Sequence, residues 1–98
     1  MTNGTIEIAD YPEEHRYELW VEGELAAIAE YRDSPGGGVR TFTHTVVYAL
    51  FEGRGLGNRL ASAALDYARA KGLTIVPQCP SIAGYIRTHP EYGDLLRP

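Results

Sequence analysis

Cysteine, lysine and long apolar runs are all scarce in this sequence of 98 residues. The single cysteine, Cys79, cannot form an internal disulfide, and the N-terminus lacks the basic start and apolar run of a signal peptide. The longest apolar run, residues 46–51, is far shorter than the roughly 20 residues that span a bilayer. We therefore expect a soluble protein of the reducing cytoplasm that does not interact with a membrane.

Positive charge is also limited. The net charge is −4, and Lys71 is the one lysine among nine basic residues. No basic stripe follows the pattern that tracks a phosphate backbone, so nucleic acid is not an expected partner. No metal is expected either. An apolar share of 44% is typical of a globular protein, and so short a chain buries one core. We expect a single domain over residues 1–98.

The N-terminal half has the pattern of antiparallel strands. Residues 5–9 form a short β-branched segment, and residues 16–21 and 25–32 suit a hairpin joined by a Gly-containing turn. The strongest strand pattern covers residues 40–51. Its period of two places one set of side chains on a single face: Phe42, His44, Val46, Tyr48 and Leu50.

The C-terminal half predicts a helix, a strand and a second helix. Apolar residues recur at helical spacing over residues 58–71, and Gly72 marks the end of that helix. Residues 73–76 then suit a buried strand, and Pro80 opens a short helix that runs to Thr88. We expect an α/β (α+β) fold with a mixed, mostly antiparallel sheet, one long helix and a short C-terminal helix.

A glycine-rich loop, residues 52–58 with the sequence EGRGLGN, joins the strongest strand to the long helix. Unpaired N–H groups and the helix dipole make such a junction an anion site, and Arg54 and Arg59 can add charge. Walker A would require Gly-Lys-Ser/Thr, but Asn58 and Arg59 follow the last glycine. A dinucleotide fold would place its glycines after the first strand of a parallel sheet. A tight turn without a ligand is the alternative.

The loop resembles the coenzyme A signature of GCN5-related N-acetyltransferases, whose usual form is Gln/Arg-x-x-Gly-x-Gly/Ala. Gly55 and Gly57 match it, while Glu52 occupies the Gln/Arg position. A closer resemblance is to very small acetyltransferase-like proteins that carry His-Thr-x-Val before the loop and a cysteine segment after the next strand. Residues 44–47, 52–57, 77–80 and 89–92 fit those motifs, and the resemblance covers roughly residues 15–95.

This resemblance implies that acetyl-coenzyme A is the co-substrate. The coenzyme would lie along the strand that ends near Tyr48, and its pantetheine arm would pair with main-chain groups of residues 46–48. The implied coenzyme-binding residues are Val46, Val47, Tyr48, Gly53, Arg54, Gly55, Leu56, Gly57, Asn58 and Arg59.

His44 and Cys79 are the candidate catalytic residues. An imidazole with an ordinary pKa of about 6.5 suits a general base, although His44 could also be a hydrogen-bonded histidine of the sheet. Cys79 could act as a nucleophile activated by His44, could protonate the leaving thiolate, or could be an inert buried residue. Tyr85 lies where many superfamily members place a proton donor, but packing is the favoured role for it, as for Tyr92.

The segments that wall the acceptor site in longer superfamily members have no counterpart here. Only residues 11–14 separate the first strand from the hairpin, so the acceptor side should be open to a peptide, protein or small-molecule amine. A second subunit could complete it, and the chain is expected to be a monomer or homodimer. The favoured function is N-acetyl transfer, and a non-catalytic module that binds coenzyme A is the alternative.

Overall fold

The computed structural model describes residues 5–96, which form a five-stranded sheet with its helices packed on one face. The strand order follows the sequence, β1 to β5, and the first four strands are antiparallel, whereas β5 runs parallel to β4. The strands are β1 (Ile6–Tyr11), β2 (Arg16–Val21), β3 (Glu24–Asp33), β4 (Val39–Val47) and β5 (Thr74–Pro77). The helices are α1 (Leu56–Ala70) and α2 (Pro80–Thr88), with short 3-10 turns at Pro12–Glu14, Ala49–Phe51 and Pro90–Leu95.

The predicted fold class is confirmed, whereas several predicted boundaries are wrong. The strongest strand does not continue to Phe51, because it stops at Val47 and the chain turns through Ala49–Phe51. The long helix begins at Leu56 rather than Asn58, so that the last glycine of the loop is helical. The first strand runs from Ile6 to Tyr11 rather than over residues 5–9.

A β-bulge in β4 overturns the predicted alternation of that strand. Glu30 of β3 is opposite His44, but the next residue, Tyr31, is opposite Phe42, so Thr43 is the extra residue. Phe42 is fully buried beneath α1, while His44 is exposed on the other face. Phe42 and His44 therefore do not share a face, as a strict period of two had predicted.

The core lies between the sheet and α1. The buried face of α1 includes Leu60 and Leu65, which belong to one apolar cluster with Leu19 of β2 and Ile75 of β5. This cluster fixes α1 across the sheet, and its first turn lies beside the end of β4, where the Cα of Gly57 faces Val47. We call the face that carries α1 the inner face and the opposite one the outer face.

A buried ionic cluster stabilises the end of the sheet where β4 begins. The Arg40 guanidinium donates to both carboxylate oxygens of Asp33, at 2.7 and 2.9 Å, and to the Tyr17 hydroxyl. It also lies 3.8 Å from the ring centre of Tyr31, whose hydroxyl donates to Asp10. Hydrogen bonding to Arg40 holds the pKa of Asp33 below its ordinary value.

Candidate functional site

The glycine loop adopts a backbone conformation that side chains disfavour. Gly53 and Gly55 have φ angles of 82° and 72°, in the left-handed region that glycine enters without strain. A Cβ atom built on either residue would meet no other atom within 4 Å, so the requirement for glycine is conformational within the chain. The open space beside both glycines leaves the main chain accessible to a ligand.

The first turn of α1 presents free backbone donors. Gly55 is the N-cap residue and supplies no side-chain cap, and the first intrahelical bond runs from Arg59 N to Gly55 O at 3.2 Å. Within residues 5–96, the N–H groups of Leu56, Gly57 and Asn58 accordingly have no helical acceptor. Together with the positive end of the helix dipole, these donors form a concavity suited to a phosphate.

Two arginines flank this turn. The Arg54 guanidinium lies 5.3 Å from the ring centre of Phe51, and Arg59 lines, with Asn58 and Tyr85, a shallow pocket of about 460 Å³. No carboxylate among the described residues lies within 4.0 Å of either guanidinium. Both positive charges are therefore available to an anion at the start of α1.

β4 and β5 separate halfway along β4. Their parallel pairing ends at Phe42 and Pro77, and one further bond follows, from Cys79 N to Phe42 O at 2.9 Å. Beyond it, β4 bonds among residues 5–96 only to β3, on its other side. The N–H of Tyr48 is bonded to Ala26 O, so alternation turns the main-chain groups of Thr45 and Val47 toward the open edge. The result is a free strand edge that leads to the glycine loop.

Cys79 lies on the inner side of this gap, at the N-cap of α2. Its side chain is buried, and its sulfur lies 3.1 Å from the hydroxyl oxygen of Thr45. Burial raises the pKa of the Cys79 thiol, but hydrogen bonding with the Thr45 hydroxyl and with the backbone at Ile82 and Ser81 outweighs that effect. The net effect lowers the pKa of this thiol and makes it a stronger acid.

His44 lies on the outer face, across β4 from Cys79. Its side chain is exposed, and its cross-strand neighbour is Glu30. Among residues 5–96 no hydrogen bond joins His44 to Cys79, because Thr45 occupies the position next to the sulfur. The structure thus places the two candidate catalytic residues on opposite faces of the strand that borders the gap.

The aromatic residues of the C-terminal segment are engaged in packing. Tyr85 stacks on His89, with ring centres 3.8 Å apart, and the Tyr92 hydroxyl donates to Asp66 of α1 at 2.8 Å. Thr45, in contrast, contacts the candidate cysteine and was missed by the sequence analysis. Its place beside His44 in the His-Thr-x-Val motif was the available signal, but the alternation that assigns it to the inner face depends on the bulge.

Two further features are absent from residues 5–96. That part of the chain contains no cluster of three or more His, Cys, Asp or Glu side chains arranged to hold a metal ion. Neither of its α-helices is long and apolar enough to cross a bilayer.

A free strand edge thus leads to the start of α1, where backbone N–H groups have no helical acceptor. The sequence pattern of the GCN5-related N-acetyl-transferase family matches residues 16–95. The chain belongs to this family, and its class is therefore that of an acetyltransferase.

Two experimental structures share the fold. One is the solution structure of a GCN5-like candidate N-acetyltransferase from Staphylococcus aureus, with 24% identity and a TM-score of 0.69; the match covers 93% of this chain and 87% of that one. The other is the crystal structure of ribosomal-protein-alanine N-acetyltransferase from Brucella melitensis biovar Abortus 2308. It is 18% identical with a TM-score of 0.57, and the match covers 85% of this chain and 63% of that one.

Proposed function

We propose that this chain is an N-acetyltransferase of the cytoplasm that uses acetyl-coenzyme A, with residues 1–98 forming one domain. The observation that carries the proposal is the continuity of two features: the open edge of β4 and the free N–H groups at the start of α1. A pyrophosphate and an extended amide-containing arm need these two kinds of partner, side by side. Acetyl-coenzyme A supplies both, together with an activated acetyl group.

The geometry supports a specific set of proposed binding residues. The N–H groups of Leu56, Gly57 and Asn58 would hold the pyrophosphate, with Arg54 and Arg59 adding positive charge. Main-chain groups of the open edge would pair with the pantetheine arm. The sequence predicted that Val46, Val47 and Tyr48 provide these groups. In the structure, the main-chain groups of Val47 and of Thr45 face the open edge.

The opposite placement of His44 and Cys79 favours direct transfer over a covalent acetyl-cysteine. The amine nitrogen bonds to the acetyl carbon, and the bond from that carbon to the coenzyme sulfur breaks. His44, exposed on the outer face, accepts the proton that the amine loses. Cys79, on the inner side of the gap, gives its proton to the departing sulfur. No His–Cys pair is then required, in agreement with their separation.

The acceptor would approach from the outer face. All helices of the described residues that pack on the sheet do so through the inner-face cluster, and His44 is exposed on the outer one. An open face of this kind admits the amine of a peptide or protein as readily as that of a small molecule. We propose that the acceptor is an amine of a peptide, a protein or a small molecule, with the chain acting as a monomer or homodimer.

A non-catalytic module that binds coenzyme A is the second candidate. It is favoured by the absence, within residues 5–96, of a hydrogen bond between His44 and Cys79, since many acyltransfer sites align their catalytic groups in one chain of contacts. This candidate predicts binding of the coenzyme without turnover.

Two measurements separate these functions. Thermal unfolding with acetyl-coenzyme A, coenzyme A, ATP and NAD comes first, because a ligand that binds only the folded state raises the midpoint. Acetyl transfer to a panel of amines, peptides and proteins follows, for the parent, His44→Ala and Cys79→Ala. General acid–base catalysis contributes roughly 10²–10⁴-fold, so each variant should lose at least about 100-fold in kcat while its acetyl-coenzyme A shift persists.

The contrary outcomes are distinct. A midpoint shift without transfer to any acceptor would favour the binding module. Transfer at the parental rate by both variants would refute the assignment of His44 and Cys79. An acetyl group found on Cys79 by mass spectrometry, after mixing with acetyl-coenzyme A alone, would replace direct transfer with the covalent route.

A further inference from the structure

Within the described part of the chain, the hydroxyl of Thr45 makes a single hydrogen bond, with the sulfur of Cys79. It lies 3.1 Å from the sulfur of Cys79, and no other hydrogen bond of that hydroxyl occurs among residues 5–96. Thr45 belongs to β4, and Cys79 lies between β5 and α2, so the contact bridges β4 and the segment that follows β5. The neighbouring Thr43 differs, because its hydroxyl is directed to the carbonyl oxygen of Glu30, at 3.4 Å.

The surroundings of the sulfur would otherwise disfavour a negative charge. Cys79 is 3% exposed, and burial opposes ionisation because a thiolate loses its hydration there. Hydrogen bonding by the backbone at Ser81 and Ile82, at the start of α2, lowers the pKa of the thiol and so favours the thiolate. On the side of β4, the Cys79 thiol donates to the hydroxyl oxygen of Thr45, and the same hydroxyl can donate to the sulfur once the thiol proton has left.

We propose that Thr45 is a positioning residue for Cys79, which orients the thiol toward the gap and donates a hydrogen bond to the thiolate that remains after proton transfer. The proposal rests on the acetyl-transfer function proposed above for the role of Cys79, although the contact itself can be tested without turnover.

The test is a titration of the thiolate by its ultraviolet absorbance as the pH is raised. Cys79 is the one cysteine of the chain, so a Cys79→Ser protein supplies the blank that removes the tyrosine signal. Thr45→Val keeps the shape of the side chain but removes the hydroxyl, and Thr45→Ser restores the hydroxyl. Thr43→Val is the matched control, because it removes a threonine hydroxyl of β4 that does not contact the sulfur.

The expected result is an upward shift of the titration midpoint of about one pH unit or more in Thr45→Val, because a hydrogen bond to a charged group is lost. Thr45→Ser should bring the midpoint most of the way back to the parental value, and Thr43→Val should leave the midpoint unchanged. Once an acceptor amine is identified, Thr45→Val should lower kcat for acetyl transfer while the KM for acetyl-coenzyme A stays constant.

The inference is overturned if Thr45→Val titrates like the parent, or if Thr43→Val shifts the midpoint as far. Circular dichroism checks that each variant is folded, and Thr45→Ala replaces Thr45→Val in the same titration if the valine protein is unfolded. Failure of the proposed function is a separate outcome: transfer to no acceptor would remove the catalytic role, while the titration still decides whether Thr45 controls the ionisation of Cys79.

Discussion

Gly55 offers the sharpest test of the glycine loop, because one position can separate backbone strain from ligand binding. Its φ of 72° lies in the left-handed region, and a Cβ atom there would meet no other atom within 4 Å. Gly55→Ala therefore costs the left-handed penalty alone, roughly 1–2 kcal/mol. Gly55→Glu carries the same penalty and adds a negative charge beside the proposed phosphate site.

The magnitudes are large enough to measure by thermal unfolding. In a domain of this size, 1 kcal/mol corresponds to about 4–8 °C, so both variants should melt at least about 4 °C below the parent without ligand. A ligand at about 100 times its dissociation constant stabilises the folded state by about 2.7 kcal/mol, or roughly 10–20 °C. Gly55→Ala should retain an acetyl-coenzyme A shift, and Gly55→Glu should lose it.

Gly57 provides a control within the same loop. It is helical, and a Cβ atom there would lie 3.5 Å from a methyl group of Val47, an ordinary contact. Gly57→Ala should raise the midpoint by a few degrees, since alanine in a helix is favoured over glycine by roughly 0.5–1 kcal/mol.

If Gly55→Glu shows the same ligand shift as Gly55→Ala, the start of α1 does not bind the pyrophosphate and the reasoning fails.

Two predictions concern the ionic cluster at the start of β4. Arg40→Met should lower the free energy of unfolding, measured by urea denaturation, by about 3 kcal/mol. This is the low end of the cost of breaking a buried ion pair, because Asp33 is partly exposed. A loss below about 1 kcal/mol would contradict the prediction. Arg40 lowers the pKa of Asp33, so this stability is present at neutral pH and is lost as the pH falls through the lowered value. Asp33→Asn should consequently flatten the acid branch of a stability–pH curve, and an unchanged slope would argue against the assignment.

The sequence predicted most elements because their signals are local. The apolar spacing of α1 and the hairpin of β2 and β3 follow from side chains within a few residues of one another. The sequence extended β4 too far, to Phe51 instead of Val47, because that prediction also relied on local signals alone. The apolar residues after Val47 continue the strand pattern, yet the chain turns there through Ala49–Phe51, and Leu50 is 84% exposed.

The arrangement of the candidate site was not predictable from local signals. The bulge at Thr43 depends on how β4 pairs with β3, and this register is set by residues far away in the sequence. A period of two placed Phe42 and His44 together, whereas the extra residue reverses the alternation between them. The contact of Thr45 with Cys79 depends in turn on this reversal and on where α2 begins.

The bulge at Thr43 also explains how β4 places side chains on both faces of the sheet beside the gap between β4 and β5. Phe42 must face inward, because it is fully buried against Tyr17 and Tyr31 in the core. With strict alternation from Phe42, His44 would face the core as well, and Thr45 would face outward. The extra residue Thr43 directs His44 to the outer face and Thr45 toward Cys79. One inserted residue thus allows a single strand to carry the proposed proton acceptor on one face and the hydroxyl that contacts Cys79 on the other, while its main-chain edge stays unpaired beside the proposed coenzyme site.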